Sequence, residues 1–208
     1  MIDAVTLATY IVVVFGFVFI PGPATLLTVA RSSTSGTRTG IATGLGIAVG
    51  DVIHTAMAVV GISAIIYASA FMFSLVKYLG AAYLFYLGIQ AIVAKVPEPS
   101  GKQAVPLTPR TAFSQAIVAE LLNPKTALFF LAFLPQFVKP ENGAVMLQLT
   151  VFGLILVCLG LFSTVFFAIT AGNVGSFLRR NPTVLRWQGK VVGAIYCGLG
   201  VRLALQEK

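Results

Sequence analysis

Residues 145–171 read VMLQLTVFGLILVCLGLFSTVFFAITA, with no Asp, Glu, Lys or Arg. About 20 apolar residues in helical conformation cross the ~30 Å hydrocarbon core of a bilayer. A strand of a membrane barrel would instead alternate apolar and polar positions over about ten residues, and this run does not alternate. The stretch reads as a transmembrane helix. It decides the class of the chain, an all-α membrane protein.

Working outward, five more apolar runs of similar length occupy 4–29, 41–66, 71–94, 111–134 and 187–205, and the quoted run forms a span over 145–170. Six spans of about 22 residues use roughly 130 positions and leave only short loops, so residues 1–208 read as one integral membrane domain. Composition agrees. The 208 residues are 58% hydrophobic and 10% charged, against about 25% charged in a soluble domain. That is too little polar material to coat a water-soluble globule, and too much apolar material for a disordered chain. Residues 1–10 lack the basic leader of a cleaved secretory signal, so the first span is expected to be retained.

The formal charge of +8 would suggest a nucleic-acid partner in a soluble protein. In a membrane protein it describes topology, because Lys and Arg collect in cytoplasmic loops. Arg31, Arg38, Lys95, Lys102, Arg110, Arg179, Arg180, Arg186 and Lys190 follow the first, third and fifth spans; Lys77, Lys139, Arg202 and Lys208 lie on the other side. The bias puts the first group in the cytoplasm and both termini outside, and it implies no nucleic acid. Residues 95–110, with Pro97, Pro99, Gly101, Pro106 and Pro109, read as a linker between halves 1–94 and 111–208. Residues 172–182 read as a polar loop bearing a doubled arginine.

The halves share a local pattern. Pro21-Gly22-Pro23-Ala24-Thr25 in the first span matches Asn123-Pro124-Lys125-Thr126 in the fourth, with Pro23 on Pro124 and Thr25 on Thr126. Two halves of three spans insert with opposite orientation, giving six helices as two three-helix inverted repeats. Proline removes a backbone donor and clashes with the preceding turn. Freed groups must then be satisfied within the protein or in a wet cavity, and paired breaks in corresponding spans point to a transporter's binding site.

Three ionisable residues lie deep in the spans: Asp51, Glu120 and Lys125. At 1.5 Å per residue, Asp51 and Glu120 fall near the midplane, where a charge costs at least about 2.5–3.5 kcal/mol. Such groups face a partner or a hydrated path. In a straight helix Glu120 and Lys125 stand roughly 140° apart, which favours Lys125 pairing with Asp51 or with a substrate carboxylate. Glu120, Asn123 and Pro124, at i, i+3 and i+4, would share a face lining the path, with Glu120 or Asp51 exchanging protons. His54, three residues after Asp51, reads as a packed, hydrogen-bonded histidine.

Gly36, Gly40, Gly44, Gly46 and Gly50 bring small residues to helix-packing spacing; so do Gly189, Gly193 and Cys197. These seams suit packing within one monomer and equally a homodimer. Cys158 and Cys197 form no CxxC, and no nucleophile elbow, metalloprotease or nucleotide-loop motif is present. No catalytic residue, metal ligand or cofactor is expected, and the chain does not read as an enzyme.

The stretches PGPATLLTVARSSTSGTRTGIATGLGIAVGDVIH (residues 21–54), KYLGAAYLFYLGIQ (77–90), LLNPKTALFFLAFLPQFV (121–138) and RWQGKVVGAIYCGLGVRLAL (186–205) resemble the LysE/RhtB family of bacterial amino-acid exporters, of the threonine, homoserine, leucine and lysine efflux type. The resemblance runs nearly end to end. It implies a multi-pass inner-membrane protein that exports amino acids or close relatives, driven by an ion gradient. It points to Pro21, Gly22, Pro23, Gly44, Gly50, Asp51, Asn123, Pro124 and Lys125. Ala24 stands where family members often carry Asn, which takes one polar group from the implied site. The expected function is secondary export of a small zwitterionic metabolite, driven by the proton-motive force. A thiol–disulfide electron carrier would need cysteines beside the breaks, where this chain has Ala24, Thr25, Asn123 and Lys125. A non-transporting subunit would leave the midplane charges unexplained.

Overall fold

The computed structural model describes residues 2–19, 22–68, 70–93 and 106–180, together with scattered helical positions between 187 and 205. In chain order the helices are α1 (Ala4–Phe19), α2 (Pro23–Ser35), α3 (Thr37–Ala68), α4 (Ala70–Val93), α5 (Pro109–Leu121), α6 (Pro124–Leu128) and α7 (Val145–Arg180). Between α6 and α7 the chain runs through a π-helical turn, Phe129–Phe133, and two short 3-10 turns, Leu134–Phe137 and Pro140–Asn142.

Two stretches are long and apolar enough to cross a membrane alone, Thr37–Ile62 within α3 and Val145–Ala171 within α7. The spans expected at 4–29 and 111–134 are each two helices. Ala4–Phe19 meets Pro23–Ser35 at 48°, and Pro109–Leu121 meets Lys125–Phe137 at 52°. Each bent pair has the length and composition of one broken span, giving four of the six expected. Proline causes both breaks. Pro23 and Pro124 each open a new helix, a position where the missing N–H costs nothing, while continuing the previous helix would meet the ring clash. α4 coincides with the third expected span, and the sixth falls mostly outside the described residues. Its described positions are helical and pack on α4, with Cys197 against Gly88 and Gly200 against Phe85.

One expectation is corrected. Residues 172–182 do not form a loop from residue 172, because α7 continues to Arg180. No proline occurs between residues 145 and 181, and Val174, Phe177 and Leu178 keep the i, i+3, i+4 spacing of a helix.

α3 is the central element, packed between α5 on one side and α2 and α7 on the other. Its glycines divide between those sides, because two residues of helix turn through about 200°. A Cβ on Gly40 would meet Ser32 and Ala168, and one on Gly44 would meet Thr164. Opposite them, Gly46 faces Phe113 and Ala116, and Gly50 faces Glu120. All four are therefore occupied within the chain, so a dimer would need another surface. Buried hydroxyls tie the first bent pair to α7: Tyr10 Oη donates to the Phe152 carbonyl at 2.8 Å, and Ser32 Oγ to the Ala168 carbonyl at 2.6 Å. Ser163 Oγ in α7 donates back to the Val18 carbonyl at 2.8 Å. Interhelical bonds of this kind average about 0.6 kcal/mol in a bilayer.

Candidate functional site

Both helix breaks open onto one cavity of about 50 Å³, room for water molecules. Its polar wall carries Asp51 of α3, Glu120 at the end of α5, Asn123 and Lys125 at the second break, and the threonines Thr25, Thr126 and Thr164. Phe17, Val18, Ile47 and Leu156 supply an apolar wall, and Gly22, Pro23, Ala24 and Gly160 complete it. The two halves of the chain thus contribute to one site. Asp51 and Glu120 are only 4% and 2% exposed.

The second break holds Glu120 in place. α5 ends at Leu121, so Glu120, Asn123 and Pro124 do not share a face of one helix as expected. Asn123 instead turns back as the cap of α6. Its Oδ1 accepts from the Lys125 N–H at 3.1 Å. Its Nδ2 donates to both carboxyl oxygens of Glu120, each at 3.2 Å, and to Thr126 Oγ1 at 3.1 Å. Thr126 in turn donates its hydroxyl to Glu120 Oε1. Those two side chains orient Glu120 from beyond the break.

The Glu120 carbonyl, left over where α5 stops, accepts from the Asn123 N–H at 3.0 Å and lies 3.1 Å from His54 Nε2. A carbonyl only accepts, so His54 carries its proton on Nε2. His54 is thus a hydrogen-bonded packing residue that also stacks on Phe130, with ring centroids 5.8 Å apart. Its bond locks α3 to the second break.

The bend also changes the expected geometry of Lys125. The 140° separation from Glu120 holds for a straight helix only, and across this break both side chains reach the same cavity. Glu120 and Asp51 both act electrostatically on Lys125, as Glu120 and Lys125 do on Asp51. The Lys125 ammonium also sits over the Phe17 ring, 4.2 Å from its centroid. At the first break, Gly22 leaves room for it: a Cβ there would lie 2.9 Å from Lys125 Nζ. Gly160 adjoins Asp51, where a Cβ would stand in ordinary van der Waals contact with Oδ2 at 3.4 Å. α2 starts at this cavity with no side-chain cap on its N-terminus. Pro21, the remaining predicted residue, lies outside the described residues. Neither cysteine lines the cavity.

Sequence reasoning singled out the charges but passed over Phe17, Ile47, Leu156 and Thr164. The repeat held a signal for two others, since Thr25 and Thr126 occupy matching positions two residues after each proline and both line the cavity.

Far from this site, Asp3 and Lys139 form a 2.9 Å ion pair. The Lys139 ammonium, and the Thr6 N–H and hydroxyl, hold the Asp3 carboxyl well below the usual carboxylate range.

Broken apolar spans that converge on a buried cavity with charges of both signs define a multi-pass membrane transporter. Residues 15–207 match the model of the LysE type translocator family. The chain belongs to that family. An uncharacterized membrane protein of Pseudomonas aeruginosa is 32% identical over 201 residues, covering 94% of this chain and 93% of its own. An uncharacterized membrane protein of Bacillus subtilis is 31% identical over 209 residues, covering 96% and 99%. A protein of Salmonella typhimurium named leucine efflux protein is 26% identical over 197 residues, covering 94% and 93%. No solved structure matches the chain.

Proposed function

We propose that this protein exports a neutral amino acid, or a close zwitterionic relative, across the bacterial inner membrane in exchange for protons. The observation that carries this reading is the single cavity at two helix breaks that holds one ammonium and two carboxyl groups. A zwitterion fits that charge pattern. Lys125 and the uncapped N-terminus of α2 receive the substrate carboxylate, since helix N-termini favour anions. Asp51 and Glu120 receive the substrate ammonium. Phe17, Val18, Ile47 and Leu156 face its side chain, and they suit an apolar one; the name of the Salmonella relative makes leucine the first probe.

The same charges supply the coupling. With Lys125 the one cation among the described residues that line the cavity, two ionised carboxylates leave one uncompensated negative charge, and burying such a charge is expensive. A proton or a substrate ammonium offsets it, and the two compete for the same carboxylates. Outward movement of one and inward movement of the other then share a single site. Asp51→Asn and Glu120→Gln separate this role from a static ion pair, because each keeps the shape and removes a titrating group.

Efflux and growth-tolerance assays across the protein amino acids, in an overexpressing strain, test the reading. At least one amino acid leaves faster and is tolerated at higher concentration, and Asp51→Asn and Lys125→Ala abolish both effects. No change for any amino acid refutes export, and full transport by Glu120→Gln refutes its part in proton exchange.

A further inference from the structure

A second cavity, of about 190 Å³, opens beside Thr6, Thr9, Phe133, Phe137 and Lys139. It lies toward the end of the molecule that bears Asp3 and Lys139, the outer face by the distribution of basic residues. Between it and the central cavity stands a continuous run of rings. Phe17, in the wall of the central cavity, stacks on Phe129 at 4.3 Å between centroids; Phe129 meets Phe133 at 4.8 Å, and Phe133 meets Phe137 at 5.1 Å. Phe129 and Phe133 are buried in the apolar core, so this run of rings is dry packing between the two cavities.

The backbone that carries this column is irregular. Phe129–Phe133 is a π-helical turn, followed directly by the 3-10 turn Leu134–Phe137. π-turns break the regular i→i+4 ladder and concentrate at functional sites. Irregular backbone at membrane depth is tolerated where protein or a cavity surrounds it. At the outer rim the Asp3–Lys139 pair joins the start of the first bent span to the end of the second.

At its inner end the column meets the binding site through Phe17. The Lys125 ammonium rests on the face of Phe17, the ring that begins the run. A cation over an aromatic face is held by the ring quadrupole, most strongly when desolvated. A carboxylate that draws the ammonium off that face removes this hold.

We propose that the Phe129–Phe133–Phe137 column is the closed outer gate of the transport path, and that Phe17 ties its opening to the occupant of Lys125. The proposal rests on the transport reading, with Phe17 as a positioning residue that acts through its neighbours. Arrival of a substrate carboxylate at Lys125 frees Phe17, the stacked rings part along the π-turn, and the two cavities join. With Lys125 back on Phe17 the column closes.

Ile47 lines the central cavity behind the gate. The test places a reporter there, Ile47→Cys, in a Cys158→Ser, Cys197→Ser background. A membrane-impermeant thiol reagent is added outside intact cells, with and without leucine loading. The reporter chain labels slowly, and faster when cells are loaded. Phe133→Ala labels roughly tenfold faster or more with no amino acid present, the factor given by ~1.4 kcal/mol in an opening equilibrium. Phe133→Leu shows a smaller effect of the same sign and answers for any loss of folding, checked by membrane yield and size-exclusion profile. Phe17→Leu loses the response to leucine, whereas Phe17→Tyr, which keeps an aromatic face, retains it. Labelling of both Phe133 variants at the reporter rate overturns the gate. A normal leucine response in Phe17→Leu overturns the coupling. Fast labelling of the Phe133 variants, together with no export of any amino acid by the parent chain with Ile47 intact, upholds the gate and refutes the transport reading instead.

Discussion

Asn123→Asp separates the two tasks that Asn123 performs at the second break. An aspartate keeps an oxygen to accept the Lys125 N–H, so the start of α6 is preserved. It loses the amide that donates to both oxygens of Glu120 at 3.2 Å and to Thr126 at 3.1 Å. Hydrogen bonds to a charged group contribute about 1.5–3 kcal/mol net. Even one such loss lowers transport efficiency by roughly ten- to 150-fold. Repulsion from a third buried carboxylate adds to this, since like charges this close disfavour each other. The assay is counterflow of labelled leucine in proteoliposomes, with far-UV circular dichroism to show that helix content is unchanged. Transport within about twofold of the parent, well below ~1.4 kcal/mol, would refute the role of the amide as the donor that sets Glu120.

Gly46→Ala pushes a methyl to 2.8 Å from the Ala116 Cβ and against the Phe113 carbonyl, and backbone cannot step aside. Overpacking of this kind costs about 1–3 kcal/mol, so the detergent-solubilised protein melts several degrees lower. Gly61→Ala, with nothing within 4 Å, leaves the melting temperature unchanged or raises it, because Ala favours helix over Gly by up to about 1 kcal/mol. Gly22→Ala fits its backbone, whose φ of −123° any residue adopts. Its methyl crowds Lys125 Nζ at 2.9 Å, so folding survives and leucine counterflow falls several-fold. The Asp3–Lys139 pair has a defined pH signature. Because folding lowers the Asp3 pKa, its contribution is complete above the ordinary aspartate value near 3.9 and is lost only as pH falls through the lower folded value. Asp3→Asn therefore lowers the melting temperature by a constant amount between about pH 5 and 8. Both side chains are partly exposed, at 45% and 40%, so added salt shrinks that difference.

Much of this architecture was legible in the residues. The run 145–171 specifies a spanning helix by composition alone, and Pro23 and Pro124 mark both breaks because proline disrupts a helix interior but can open a new helix. Asp51, Glu120 and Lys125 declared themselves through the cost of burying charge. Spacing could not show what happens after a break. Assigning Glu120, Asn123 and Pro124 to one face assumed a continuous helix, yet the 52° bend turns Asn123 into a cap that grips Glu120 and carries Lys125 into the same cavity. Residues 172–182 read as a polar loop with a doubled arginine, but with no proline ahead of Pro182 in that stretch the helical spacing of Val174, Phe177 and Leu178 prevails. Phe17 and its stacked partners are hidden in any sequence this rich in Phe, because ring stacking across elements has no local signature.

The central claim is that one cavity, charged by Lys125, Asp51 and Glu120, carries a zwitterion across the membrane. Its most direct test is efflux of labelled leucine from preloaded proteoliposomes containing the parent chain or Lys125→Ala, with an imposed proton gradient. The account predicts efflux well above that of empty liposomes for the parent, and efflux at the empty-liposome level for Lys125→Ala. Equal efflux from the two proteins would contradict it.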